Sequence, residues 1–215
     1  FDYRYRYRNK PAQYNNYSGS AQESFQRYSS FTLTNTAEYK FDIDKLHNIT
    51  ALIGQEAIIY DGSSFGASVD GITDDRLTLI SHGTTFKKPS ADLKKKVMNS
   101  FFARAEYNFD EKYFIMGSLR DEGSSKFGKS NKWGLFPAIS AGWEIKKENF
   151  LKDVEFINTL KLRAGFGVTG TMPNDPYLSL TLLDYGQIIY SDGSWVQSVV
   201  PTSNPNPDLK WETKN

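Results

Sequence analysis

The chain has 215 residues, with 26 Lys and Arg against 25 Asp and Glu, no cysteine, and 15 Phe, 13 Tyr and 4 Trp at a mean hydropathy of −0.55. A transmembrane helix needs roughly 18 or more consecutive apolar residues, and apolar runs such as residues 57–60 are far shorter, which excludes a helical membrane protein. The aromatic content argues against disorder, interspersed charge gives no pull toward nucleic acid, and missing thiols remove disulfide frameworks, thiolate zinc sites and cysteine nucleophiles.

Residues 1–8 alternate strictly, with Phe1, Tyr3, Tyr5 and Tyr7 against Asp2, Arg4, Arg6 and Arg8. Only a β-strand, with its period of two, puts all four rings on one face. The pattern returns with Phe31, Leu33, Ala37 and Tyr39, interrupted on its apolar face by Asn35, and again from His47 to about Tyr60 through Ile49, Ala51 and Ile53. A fourth strand carries Phe101, Ala103, Ala105, Tyr107 and Phe109 on one face. Tyr113, Ile115 and Leu119 mark a fifth, Trp133 to Ile145 a sixth, and Leu160 to Val168 a seventh. An eighth is expected to start at Leu209, Trp211 and Thr213.

Each run lasts about nine to thirteen residues, longer than the five or six usual in globular proteins and matched to the roughly 9 to 11 tilted residues that span a bilayer. Residues 9–28, 61–99, 121–132 and 170–208 read as long polar loops, whereas 42–46 and 110–112 are tight turns and 146–158 is a moderate connection. Alternation of long and short connections is the pattern of an outer-membrane barrel. Tyr39, Phe41, Tyr107, Phe109, Tyr113 and Trp143 gather at the short-turn ends, as an interfacial aromatic girdle requires. Phe150, Leu151, Val154 and Ile157 fall at helical spacing, so residues 147–158 predict a short amphipathic helix.

The expected fold class is therefore all-β, an antiparallel transmembrane β-barrel segment of about eight strands. A closed barrel pairs its first strand with its last, and an open edge cannot stand in lipid. The abrupt strand at each end thus reads as a slice of a larger barrel, in a mature or partial chain without a leader segment. The alternative is a soluble carbohydrate-binding β-sandwich, which also alternates and also buries aromatics.

Four blocks carry a more specific signal: residues 120–128 (RDEGSSKFG), 133–143 (WGLFPAISAGW), 161–170 (KLRAGFGVTG) and 206–212 (NPDLKWE). In this order, within the roughly 115 residues from 99 onward, they resemble the SusC/RagA family of TonB-linked (TonB-dependent) outer-membrane transporters. The resemblance implies that residues 1–215 are a partial TonB-dependent receptor β-barrel domain from a 22-stranded barrel. It implies a plug domain that contacts TonB, a SusD-like surface lipoprotein as lid, contact with outer-membrane lipid and lipopolysaccharide, and import of oligosaccharides or peptides. Localisation in the bacterial outer membrane of a Bacteroidetes-type organism follows from the same resemblance. The 215 residues carry no plug, no TonB-contacting segment and no complete barrel, and Thr171 stands where members often have Asn.

Substrate contacts are expected in the long loops, where Tyr177, Tyr185, Tyr190 and Trp195, together with Phe65 and Phe86, offer faces that stack on sugar rings. They would equally pack on one another or on the lipoprotein. Arg4, Arg6, Arg8, Thr32, Thr34, Arg104, Glu106, Lys161 and Arg163 are expected to face a wet lumen or a plug. Gly134, Gly142, Gly165 and Gly167 on that face suggest bends or close approach. Asp70, Asp74 and Asp75 offer hard oxygen ligands without EF-hand spacing, and Lys94, Lys95 and Lys96 form a basic run that could meet lipopolysaccharide phosphates. The two histidines, His47 and His82, stand in no hydrolase motif, so no catalytic residue, cofactor or metal is assigned.

Overall fold

The fold is that of a computed structural model, which describes residues 1–9, 18–151, 153–189 and 195–215. Its strands are β1 (Asp2–Asn9), β2 (Gly19–Ile43), β3 (His47–Ile72), β4 (Thr85–Phe86), β5 (Ser90–Phe109) and β6 (Tyr113–Ser124). They continue with β7 (Trp133–Glu144), β8 (Lys161–Gly167), β9 (Thr169–Thr171), β10 (Leu183–Ile189), β11 (Trp195–Pro201) and β12 (Glu212–Lys214). One sheet runs β1-β2-β3-β5-β6-β7-β8 with β4 added on β3, and β10-β11 and β12-β9 form two small pairs. Every recorded pairing is antiparallel, so the expected fold class stands.

The tight turns are where the alternation places them. Asp44 and Lys45 have φ of 53° and 59°, and Asp110 and Glu111 of 47° and 52°, so each three-residue connection, 44–46 and 110–112, opens with two left-handed residues. Aspartate leads each because its short polar side chain tolerates that region.

The chain divides into two compact units, Phe1–Phe31 with Ile59–Lys96, and Thr32–Ile58 with Val97–Asn215. In the second unit the register sets Phe109, Tyr113, Trp143 and Leu162 in one row and Tyr107, Ile115, Ala141 and Ala164 in the next. Further along the same face come Ala105, Gly117, Ile139 and Phe166. These large apolar side chains are not a core: Ile139 is 58% exposed and Leu162 60%. A continuous exposed apolar face of this kind is unstable against water and marks a surface that another apolar medium covers.

In the first unit a small core of Ala21, Val69 and Ile72 takes Leu77 and Ile80 against it. The chain leaves β3 through Gly71, at φ +81°, where an added Cβ would sit 2.0 Å from the Thr84 hydroxyl, so this corner admits glycine alone.

Two expectations about local structure are corrected. Residues 147–158 form no α-helix among the described residues. A short 3-10 turn, Ile145–Lys147, leads into successive three-residue turns in which Leu151, Val154 and Ile157 donate to Glu148, Leu151 and Val154 carbonyls. The Lys146 ammonium binds the Leu151 and Val154 carbonyls as well, at 2.9 and 2.6 Å, and so draws them toward a side chain instead of a helical ladder. The stretches 9–28 and 61–99 are also not loops throughout, since β2 begins at Gly19, β3 continues to Ile72 and β5 begins at Ser90.

Candidate functional site

The face opposite the apolar one is polar and interlinked. Arg120 of β6 donates from Nη2 to Glu56 Oε1 and Ser100 Oγ, both at 2.8 Å, and from Nε to Glu122 Oε2 at 2.8 Å. Its guanidinium also lies 5.5 Å from the centroid of the Phe102 ring. Planar, forked arginine suits such a node because its donors reach several acceptors at once. Thr34 Oγ1 donates to Glu56 in turn, at 3.4 Å. Nearer the tight turns, Arg104 pairs with Glu106 at 3.2 Å and Lys40 with Glu38 at 2.8 Å, and Lys161 Nζ sits 3.7 Å from the Phe114 ring centroid. Asn108 Oδ1 is buried without a partner among the described residues. The expected polar residues Thr34, Arg104, Glu106, Lys161 and Arg163 are thus confined to one face of the second unit.

On the tight-turn side, Glu148 accepts hydrogen bonds from the Tyr113 hydroxyl at 2.5 Å and from Trp143 Nε1 at 3.0 Å. Those two donors hold its carboxyl below the ordinary carboxylate value. Tyr113 and Trp143 stack with centroids 6.4 Å apart, so the girdle aromatics are fixed by a polar tie on the connecting segment.

The long segment after β9 has a built base. Lys126 is 4% exposed, and its ammonium donates to the Pro173 and Asn174 carbonyls at 2.5 and 2.8 Å. Phe127, 2% exposed, packs on Trp211 at 4.7 Å, and Trp211 meets Phe136 edge-on at 5.2 Å and donates from Nε1 to the Lys132 carbonyl. An added Cβ at Gly128 would lie 1.7 Å from the Pro207 carbonyl oxygen. The turn after β6 therefore grips both ends of residues 173–207; the strand expected around Trp211 is present as β12 from Glu212, and Trp211 just before it fills an aromatic cluster. At Gly134, where a bend or the close approach of another backbone is expected, side chains come near instead: the Trp211 and Phe136 rings lie 2.8 Å from where its Cβ would be.

Of the loop residues singled out in the sequence, Tyr177 is half-buried at φ +68° beside the gripped base, and Tyr185 is exposed on β10 opposite Val199. Trp195 opens β11 opposite Ile189, and Tyr190 lies outside the described residues. Tyr185 and Trp195 share one hairpin and Tyr177 belongs to its base. Phe65 and Phe86 are exposed in the first unit. The aspartates there are committed to cations: Asp74 to Arg76 at 2.6 Å and Asp70 to Lys87 at 2.9 Å. Hydrogen bonds from Arg76 hold the Asp74 carboxyl far below its ordinary value. Arg6 pairs with Glu23, Arg4 lies over Phe25, and Arg8 donates to the Asp74 carbonyl, so these arginines tie the first unit together. The sequence does not mark Lys126 or Arg120 as anchors, because deciding partners are distant along the chain: Glu56 is 64 positions from Arg120, and Pro173 is 47 from Lys126.

Comparison with known proteins decides the family. The family model described as TonB dependent receptor-like, beta-barrel, matches residues 1–215. The chain belongs to the TonB-dependent receptor β-barrel family. It is 36% identical over 146 residues to the TonB-dependent receptor SusC of Bacteroides thetaiotaomicron, covering 64% of this chain and 14% of that protein. It is 34% identical over 169 residues to the TonB-dependent receptor P3 of Formosa agariphila, covering 78% of this chain and 17% of that protein. The solved structure of the RagAB peptide transporter superposes with a TM-score of 0.90 at 31% identity over 99% of this chain and 24% of that one. The chain thus spans under a fifth of these curated relatives' length and about a quarter of the solved chain. It is a segment of a SusC-like, TonB-dependent barrel, and the relatives it matches are receptors.

Proposed function

We propose that the protein containing this segment is an outer-membrane nutrient importer, driven through TonB, that takes up oligosaccharides or peptides beneath a SusD-like surface lipoprotein. The observation that carries the reading is the opposition of two faces in the second unit. One exposes Ile139, Leu162, Leu135 and Ile115; the other holds the Arg120, Glu56 and Glu122 network. Trp133 and Trp143 flank the apolar face ten residues apart, which at 3.3 Å per residue and a strand tilt near 40° gives a band about 25 Å tall, the height of the lipid-facing band of an outer-membrane barrel. Residues 1–215 form part of the barrel wall, and the mechanism is gating without covalent chemistry: the wall supplies a wet inner face, and extracellular segments such as residues 173–207 capture substrate. Tyr177, Tyr185, Tyr190 and Trp195 are proposed contacts for substrate or lid. Likeness to the RagAB peptide transporter supports the peptide arm, and likeness to SusC supports grouping with its receptors.

The test is an uptake assay on cells lacking the full-length gene, with membrane fractionation of the intact protein. Loss of growth on one oligosaccharide or peptide source, restored only when TonB is present, is the expected result. Recovery of the intact protein as a detergent-free soluble monomer would overturn it and favour the β-sandwich, which the exposed apolar face already disfavours.

A further inference from the structure

The first unit carries a surface that neither the lumen network nor the long loop explains. β1 pairs with β2 so that Tyr3 lies opposite Gln26, Tyr5 opposite Ser24 and Tyr7 opposite Gln22. These tyrosines therefore share a face with the glutamines and serine, while Arg4 and Arg6 share the other with Phe25 and Glu23. Tyr5 and Tyr7 stack almost parallel, 3° apart with centroids separated by 6.5 Å. Tyr28 stacks on Tyr60 at 6.2 Å and lies over Gly62, where a Cβ would come within 3.3 Å of its ring. Lys96 Nζ caps the Tyr60 ring at 4.5 Å.

Composition decides what such a face can meet. Tyr3, Tyr5 and Tyr7 are each between 41 and 49% exposed, so they are not a core. Their partners are amides and hydroxyls, unlike the Ile, Leu and Phe of the second unit's apolar face, so this is no surface for hydrocarbon. Its charges are also engaged locally: Lys96 is held over Tyr60 and Lys94 faces Asp92 at 3.6 Å. What remains among the described residues is a row of half-exposed rings bordered by neutral hydrogen-bonding groups, with the nearby lysines engaged locally.

We propose that Tyr3, Tyr5, Tyr7, Tyr28 and Tyr60 form a stacking platform for a neutral saccharide chain. Axial C–H faces of the sugar rings lie on the tyrosine rings, and ring hydroxyls bond Gln22, Ser24 and Gln26. Tyr3 to Tyr7 covers four residue steps, about 13 Å, room for roughly two or three hexose units. The platform deepens the import reading, on which it rests, and is built from residues other than the loop tyrosines Tyr177 and Tyr185.

The test uses the full-length protein in detergent, titrated with neutral linear glucan, mannan and xylan oligosaccharides and, separately, with unfractionated peptides. One of the saccharides is expected to bind, with Tyr5→Phe unchanged and Tyr5→Ala weakened roughly two- to twelve-fold, the loss of one aromatic stack. Combining Tyr3→Ala, Tyr5→Ala and Tyr7→Ala should abolish detectable binding. The rings are exposed, so folding is retained, and Tyr5→Phe controls for it. The proposal is overturned if no saccharide binds, if Tyr185→Ala removes binding while the strand tyrosines are dispensable, or if peptides alone bind. Flat titrations alongside TonB-dependent uptake would overturn the platform and leave import standing. Tyrosine-dependent binding with TonB-independent uptake would do the reverse.

Discussion

Replacing Lys126 with methionine should release the base of the long segment after β9 without disturbing the wall. Methionine keeps most of the buried stem but removes the ammonium that binds the Pro173 and Asn174 carbonyls at 2.5 and 2.8 Å. Each charged hydrogen bond contributes about 1.5–3 kcal/mol, but burying the ammonium itself costs energy. The released carbonyls can also reach water once the segment opens. A net loss of about 2–3 kcal/mol is therefore expected, which multiplies the local opening constant by roughly 30 to 150. Hydrogen exchange followed by mass spectrometry on the full-length protein reads this directly. Leu180 and Asn206, whose amides bond the Tyr177 and Leu178 carbonyls, should exchange faster by that factor, while amides of β5 and β6 stay as they were. Unchanged protection at Leu180 and Asn206 would refute the grip, and an equal rise in β6 would show that Lys126 supports the wall instead.

Three other outcomes follow from the geometry. Gly128→Ala would drive a methyl toward the Pro207 carbonyl oxygen, 1.7 Å from the ideal Cβ, and should destabilise the same base by about 1–3 kcal/mol, read as new proteolysis between residues 173 and 207. Ile139→Arg should cost about 2–4 kcal/mol of folding into lipid vesicles, as a cation on the lipid face near mid-band does, whereas Ser140→Arg, one residue along on the polar face, should be tolerated; denaturant titration in vesicles separates them. Glu148 is held below its ordinary value near 4.5, so the stabilising tie to Tyr113 and Trp143 is fully present above that pH and is lost as pH falls through the lower folded value. Trp143 fluorescence should therefore titrate with a midpoint below 4.5, and Glu148→Gln should remove the titration.

What the sequence revealed depends on which side of the wall a residue serves. β6 and β7 were legible because lipid on one face and water on the other force a strict alternation, visible from Tyr113 to Leu119 and from Trp133 to Trp143. The distal halves of β2 and β3 were not, since only scattered positions such as Ala21, Val69 and Ile72 are buried there, which leaves no alternation to read. Residues 19–28 and 61–72 are polar or mixed on either side and read as loop, yet continue the ladder as strand. The helix expected at residues 147–158 failed for a related reason. Leu151, Val154 and Ile157 repeat every three residues, which suits successive tight turns as well as a helix, and the choice fell to Lys146, whose two carbonyl bonds favour the turns.

The same logic separates the two kinds of aromatic residue in this chain. Rings on the lipid face are specified by the membrane, so their positions follow from strand length and periodicity alone, which place Tyr113 and Trp143 at an interface. Rings that meet partners are specified by something absent from the local pattern. Trp211 reads as one more alternating residue, yet it is buried among Phe127, Phe136 and the Lys132 carbonyl, a contact made across 79 residues. Tyr3, Tyr5 and Tyr7 alternate as strictly as any lipid-facing row, and periodicity alone would assign them the same medium. Only the register, which seats them opposite Gln26, Ser24 and Gln22, shows that their face is wet, and a wet row of half-exposed stacked rings requires a ligand-like explanation that a greasy row does not.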